Sequence, residues 1–85
     1  MWNGDRLQMQ KVDVFADYNK IKQLADMKGI SIHKLEFDAG LQNGAVRRWA
    51  EKNPPKPSAT SIINVARVLG VDHKKLLIFV ARKED

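Results

Sequence analysis

Apolar residues recur at steps of three and four along much of the chain, the spacing that places side chains on one face of an α-helix. The first such stretch predicts a helix that starts after Asp13 and ends near Lys28. Asp13 or Asp17 would cap its N-terminus, and Gly29 would end it. The apolar stripe of this predicted helix consists of Phe15, Tyr18, Ile21, Leu24 and Ala25.

Two further helices, the second and the fourth in chain order, follow the same pattern. Ser31 is a suitable N-cap for a helix over residues 32–39, and Ser58 is a suitable N-cap for one over residues 59–69. A glycine follows each of these helices and would end it. The apolar stripes consist of Ile32, Leu35 and Ala39 in the second helix and of Ile62, Val65, Ala66 and Leu69 in the fourth.

A third helix is predicted over residues 43–50, after a turn of three residues that begins at Gly40. Two short helices joined by such a turn form a helix-turn-helix unit. Three prolines between Asn53 and Pro57 forbid a regular helix beyond it. On a helical wheel its residues separate into a core side of Ala45, Val46, Trp49 and Ala50 and an outward side of Asn43, Gly44, Arg47, Arg48 and Glu51.

The last apolar stretch follows Asp72, a suitable N-cap, and predicts a fifth helix. Its apolar residues between Leu76 and Val80 form a surface too wide for one contact face. Part of this surface would close the core, and the remainder would be either a self-association surface or a cover for the N-terminal segment. The candidate self-association surface consists of Ile78, Phe79 and Val80.

Together these patterns predict an all-α, five-helix domain over residues 13–82, with the helix-turn-helix formed by the second and third helices. Residues 1–12 are interpreted as an N-terminal arm, and weak alternation near its end would permit a short strand. Residues 83–85 are interpreted as a solvated tail. The length of 85 residues and a hydrophobic content of 44% agree with a single domain.

Positive charge is concentrated where the predicted helix-turn-helix lies. The chain carries 15 Lys and Arg against 10 Asp and Glu, a net charge of +5. This surplus suits a polyanionic partner, either nucleic acid or an anionic membrane surface, or it serves solubility. From residue 41 to residue 57 the charged residues are Arg47, Arg48, Lys52 and Lys56 against Glu51.

Several function classes are opposed by what the sequence lacks. The chain has no cysteine, which excludes disulfides and thiolate metal sites. His33 and His73 lack metal-ligand spacing, and there is no nucleophile motif or Gly-rich phosphate loop, so we expect no enzyme, cofactor or metal site. No apolar run approaches the ~20 residues of a membrane span, and the cytoplasm is the expected location.

The outward side of the third predicted helix carries groups that suit the edges of DNA bases. Arg can bond guanine O6 and N7, and Asn can bond adenine N6 and N7. Gly44 would let the backbone approach a duplex closely. The alternative is a solvated face on which Arg47 pairs with Glu51 at i,i+4 spacing. The preceding helix and tight turn favour the DNA-reading interpretation.

From about residue 18 to residue 77 the chain resembles the lambda-repressor/Cro-like helix-turn-helix family. The Ala-Gly-Leu turn at residues 39–41 is a moderately specific feature, and residues 66–71 strengthen the resemblance. The residues that carry it are Tyr18 to Leu24, Lys28 to Ile32, Leu35, Ala39 to Leu41, Val46, Trp49, Pro57, Ser58, Ile62, Val65 to Val71, Leu76 and Leu77.

The resemblance implies a sequence-specific regulator, such as a phage or mobile-element repressor, that binds operator DNA as a two-fold dimer. The alternative is a protein-interaction module or antitoxin-like protein that retains the fold. The implied base-reading residues are Asn43, Gly44, Arg47 and Arg48, and the implied phosphate contacts are Ser31, His33, Gln42, Lys52, Asn53 and Lys56. The chain departs from the family at Gln42, where members often carry a Ser or Thr cap, and at Glu36, where many carry Ala. Glu36 is expected to tilt outward or to pair with a cation.

Overall fold

The computed structural model describes residues 11–82. Most of the predicted arm, residues 1–10, and the predicted tail, residues 83–85, therefore lie outside the described residues. The elements in chain order are β1 (Lys11–Ala16), α1 (Tyr18–Lys28), α2 (Ile32–Asp38), a 3-10 turn (Arg47–Ala50), α3 (Ala59–Leu69), a 3-10 turn (His73–Leu76) and β2 (Leu77–Arg82).

The predicted all-α, five-helix fold is wrong. Residues 11–82 contain three α-helices and a two-stranded antiparallel sheet, so the fold is mixed α/β. The predicted fifth helix is instead a single 3-10 turn followed by β2, and the predicted start of the first helix lies in β1. Short apolar runs rich in Val, Ile and Phe are compatible with a strand or a buried helix. Pairing between the two ends of the domain decides in favour of strands.

Local capping rules correctly predict the caps of α2 and α3, whereas the predicted start of the first helix after Asp13 is wrong, because α1 begins at Tyr18. Asp17, rather than Asp13, caps α1 and accepts a hydrogen bond from the N–H of Lys20 at 3.1 Å. Ser31 and Ser58 cap α2 and α3 with the same side-chain-to-backbone geometry. Gly29 directly follows α1, Gly40 lies in the turn after α2, and Gly70 directly follows α3, and all three have left-handed backbone conformations. Their N–H groups donate to carbonyl groups of the last turn of the preceding helix.

The core lies between the three helices, the 3-10 turns and the inner end of the sheet. Side chains from four of these elements are completely shielded from solvent: Ile21, Leu35, Val65 and Leu76. The rest of the buried apolar cluster consists of Ala16, Ala25, Ile32, Ala39, Val46, Trp49, Ile62, Ala66 and Leu69. Within residues 11–82, no helix is long and apolar enough to cross a membrane.

The two strands form a ribbon, here called the β1–β2 ribbon, that joins the ends of the described chain. Their register pairs Ala16 with Leu77 at the inner end and Val12 with Ala81 near the outer end. The inner end is anchored because the N–H of Asp17 donates to the carbonyl of Leu76 at 2.7 Å. Opposite residues of an antiparallel pair share a face. One face is therefore entirely apolar and consists of Val12, Val14, Ala16, Leu77, Phe79 and Ala81.

The turn that leads into β2 has its own cap. Asp72 accepts a hydrogen bond from the N–H of Lys74 at 2.9 Å. This backbone hydrogen bond lowers the pKa of Asp72 against an opposing contribution from desolvation, and the positive charges of nearby Lys74 and Lys75 lower it further. The predicted cap is thus present, although the element that it caps is a 3-10 turn.

Candidate functional site

Residues 43–50, predicted as an α-helix, form a tighter and shorter structure. Gly44 has a φ of 93°, in the region that L side chains rarely adopt, so a helix cannot extend back through it. Beyond Gly44 the backbone bonds mostly have i→i−3 spacing, as between the N–H of Trp49 and the carbonyl of Val46 at 3.0 Å. The prediction of a regular third helix is wrong: a turn and a 3-10 segment follow α2, so the predicted helix-turn-helix of two α-helices does not form.

Glu36 of α2 holds the start of this segment. Its Oε1 accepts from the N–H of Gly44 at 2.8 Å. Its Oε2 accepts from the N–H of Val46 at 2.8 Å and from that of Arg47 at 3.1 Å. The side chain is 1% exposed, so the expectation that it tilts outward or pairs with a cation is wrong. The backbone donors at the start of a helical turn compensate its charge instead.

The backbone of Glu36 also stabilises the turn between α2 and residues 43–50. The carbonyl of Glu36 accepts from the N–H of Leu41 at 2.9 Å, and the carbonyl of Phe37 accepts from that of Gly40 at 3.1 Å. Gly40 has a φ of 73°. This is the hydrogen-bond pattern of a glycine-terminated helix. Glu36 therefore contacts both sides of the turn, through its backbone and through its carboxylate.

The two sides of residues 43–50 are sorted largely as the helical wheel predicts. Val46 is fully buried, and Trp49 is 6% exposed. Asn43, Arg47 and Arg48 are exposed. The remaining members of the predicted core side, Ala45 and Ala50, are half-buried and exposed respectively, because a 3-10 turn rotates successive residues more than an α-helix does.

Three of the predicted DNA-contacting side chains meet at one oxygen. The Nη2 of Arg47 donates to the Oδ1 of Asn43 at 3.2 Å. The Nδ1 of His33 lies 3.1 Å from the same Oδ1. In the His33 tautomer that carries a proton on Nδ1, Oδ1 accepts two hydrogen bonds and is fully used. The Nδ2 of Asn43 and the remaining donors of Arg47 stay available to an external partner.

The other predicted phosphate contacts surround this cluster without joining it. Gln42, Lys52 and Asn53 are exposed, and the hydroxyl of Ser31 accepts from the N–H of Lys34 at 3.0 Å. Lys56 forms an ion pair with Asp13 of β1 at 2.9 Å. Within residues 11–82, no hydrogen bond or ion pair connects these residues to the His33, Asn43 and Arg47 cluster.

Sequence reasoning missed one exposed aromatic residue beside the cluster. Phe37 is 76% exposed and lines a pocket of about 70 Å³ together with His33, Leu41 and Asn43. A helical wheel places Phe37 opposite the buried stripe that Ile32 begins, so the wheel could have identified it. An exposed ring at this place adds an apolar contact surface to the polar cluster.

The candidate dimer surface lies on the β1–β2 ribbon, where Ile78 and Val80 line a pocket together with residues 49–52 at the end of the 3-10 segment. Ile78, Phe79 and Val80 are 43%, 60% and 46% exposed. Because β2 is a strand, Phe79 shares the apolar face of the ribbon, whereas Ile78 and Val80 point to the other face. The three residues therefore form part of two surfaces rather than one helical patch.

Neither a family model nor a curated protein matches this sequence. Among the side chains of the described part of the chain, no group of three or more His, Asp or Glu could hold a metal ion. A functional assignment therefore depends on the geometry of the exposed cluster on residues 43–50 and its surroundings.

Proposed function

We propose that the chain binds double-stranded DNA sequence-specifically, with residues 43–50 in the major groove, and acts as a transcriptional regulator of the repressor type. The observation that carries the proposal is the two-sidedness of this segment. Its polar side exposes Asn43, Arg47 and Arg48, while Val46 and Trp49 on the other side are buried. A rigid element with an open row of donors is what direct readout of base edges requires.

The contacts within the cluster refine the role of each side chain. Arg47 and Arg48 keep enough donors to bond guanine O6 and N7 bidentately. In the His33 tautomer that carries a proton on Nδ1, Asn43 would read adenine bidentately only by giving up one of the two hydrogen bonds that its oxygen accepts. We therefore assign Asn43 to holding Arg47 in place and to donating from Nδ2. The Nη2 of Arg47 lies 3.5 Å from the position that a Cβ would take at Gly44, so close approach of this backbone to a duplex would require the Arg47 side chain to move aside.

The residues around the cluster are proposed to hold the sugar-phosphate backbone. Ser31 and His33 lie at the start of α2, and Gln42 precedes the 3-10 segment. On the other side, the loop after Ala50 supplies Lys52, Asn53 and Lys56. The net charge of +5 supports attraction to a polyanion at long range. A regulator of this kind would act in the cytoplasm.

We further propose that the DNA-bound form is a homodimer that pairs through β2. One helical segment reads few base pairs, and two half-sites about one helical turn apart multiply the affinity. A two-fold axis perpendicular to the sheet would place β2 antiparallel to its copy and continue the apolar face of the ribbon. Phe79, which is 60% exposed, lies near the centre of that strand.

A protein-interaction module is the second candidate function. The exposed apolar face of the ribbon favours it, because Val12 and Phe79 on that face are 50% and 60% exposed. The exposed guanidinium groups of Arg47 and Arg48 oppose it, since they belong to the 3-10 turn and a partner bound to the apolar face of the ribbon would not require their charge.

Selection of bound duplexes from a random pool tests the proposed function. We expect one enriched motif, repeated as two half-sites if the dimer forms. Affinity for the selected duplex should fall steeply with salt, because neutralised phosphates release counterions. Recovery of no motif, together with binding that is absent or insensitive to salt, would favour the protein-interaction module.

A further inference from the structure

A buried carboxylate supports the exposed side chains of the proposed DNA-binding surface. Among the described residues, Glu36 is the one charged side chain in the buried class. Burying a charge is costly unless hydrogen bonds compensate it, and its partners here are three backbone N–H groups of residues 44–47. The carboxylate thus connects α2 to the first turn of the segment that carries Arg47 and Arg48.

The segment has no cap of its own. The residue that precedes its 3-10 turn, Val46, makes no side-chain capping bond, and Gln42 is too poor a cap to be expected to supply one. The N–H groups that a local cap would satisfy are held by Glu36, eight to eleven residues earlier in the chain. The conformation of the segment consequently depends on its position relative to α2.

We propose that Glu36 is a positioning residue that determines the sequence specificity of this site without touching DNA. The inference rests on the proposed function. The N–H of Arg47 is bonded to Oε2, so the point from which its side chain extends is fixed. Base-edge recognition needs donors held within about 0.5 Å, whereas attraction to phosphates tolerates small displacements. Loss of the carboxylate should therefore lower specific binding and spare non-specific binding.

Glu36→Gln is the appropriate variant because it preserves the volume of the side chain. The amide offers one acceptor oxygen and places an NH₂ donor against a backbone donor. Whichever way the amide is turned, at least one of the three N–H groups loses its acceptor. Ile62→Val serves as the matched control, because Ile62 is buried in α3 and belongs to neither the segment nor its contacts with Glu36.

The first measurement is amide hydrogen exchange without DNA. In the wild-type protein we expect protection of Gly44, Val46 and Arg47, although exposed first-turn amides ordinarily exchange fast. In Glu36→Gln, exchange at one or more of them should accelerate about tenfold relative to amides of α3. Wild-type amides that exchange as fast as those of exposed loops would overturn the inference, whether or not the variant folds.

The second measurement compares affinities for the selected duplex and for random DNA. We expect the ratio of the two to fall about tenfold in Glu36→Gln and to stay unchanged in Ile62→Val, with random-DNA affinity altered less than about twofold. An unchanged ratio in Glu36→Gln would refute the role of Glu36 and leave the proposed function standing. A wild-type protein that binds no duplex would refute the proposed function, and the specificity role with it.

Discussion

Residues 43–50 and the β1–β2 ribbon differ in which kind of side chain they expose. The segment buries Val46 and Trp49 and presents polar groups to solvent. The ribbon buries Ala16 at its inner end and leaves Phe79 exposed near the centre of β2. Backbone groups of the segment are held from α2 by a carboxylate, whereas the ribbon relies on pairing of its own two strands.

This difference is the reason why two kinds of partner are proposed. An exposed row of cationic and amide side chains is well solvated by water. Contacts of these groups with phosphates and base edges lower the free energy further. Covering an exposed apolar face with another apolar surface lowers the free energy, because apolar surface is removed from water. The proposed partners, a nucleic acid for the segment and a second copy of the chain for the ribbon, rest on this difference.

The largest expected effect concerns the buried side of the segment. Trp49→Ala should lower the free energy of unfolding by about 3–5 kcal/mol, because it leaves a cavity next to the core. Phe79→Ala in the ribbon should change it by about 1 kcal/mol or less, since that ring is 60% exposed. Urea denaturation of both variants, followed by circular dichroism at a concentration where the protein is monomeric, measures the two values. Equal losses would mean that the two regions do not differ as described.

An intermediate effect, on DNA affinity, is expected from substitutions on the exposed polar side of residues 43–50 and in the loop that follows. Arg48→Ala should weaken binding to the selected duplex by about 1–3 kcal/mol and relax its preference at one base position. Lys56→Ala should weaken selected and random DNA alike, and by less, because Lys56 already pairs with Asp13. Fluorescence anisotropy with both duplexes at fixed salt separates these results. Parallel losses on both duplexes for Arg48→Ala would contradict its assignment to base reading.

The smallest effect on folding is expected when an exposed apolar residue of the ribbon is replaced by a polar one. Phe79→Ser should leave the monomer folded with little change in stability, and it should weaken self-association and cooperative binding to two half-sites. Analytical ultracentrifugation gives the association constant. Met27→Ser is the matched control, because Met27 is 75% exposed on α1 and outside the ribbon. If Phe79→Ser leaves the association constant unchanged and Met27→Ser lowers it, the dimer interface includes α1 rather than the ribbon.

Local chemistry in the sequence accounts for much of this protein. The bounds of α3 follow from Ser58 and Gly70, which supply a cap and a left-handed residue next to a periodic apolar stripe. The exposure of Arg47 and Arg48 follows from their positions relative to Val46 and Trp49, since an α-helix and a 3-10 turn give similar sides over so short a segment. DNA binding itself remains a prediction from this exposure.

Tertiary contacts decided what the sequence pattern left open. The run from Leu77 to Val80 has no period that distinguishes a strand from a helix, and it became a strand because β1, more than sixty residues earlier, supplies the paired backbone. Glu36 lies at the edge of a buried stripe, and nothing local to it shows that three N–H groups will face its carboxylate. Short-range propensity determines where helices begin and end, whereas strand pairing and the compensation of a buried charge need partners that only the folded chain brings together.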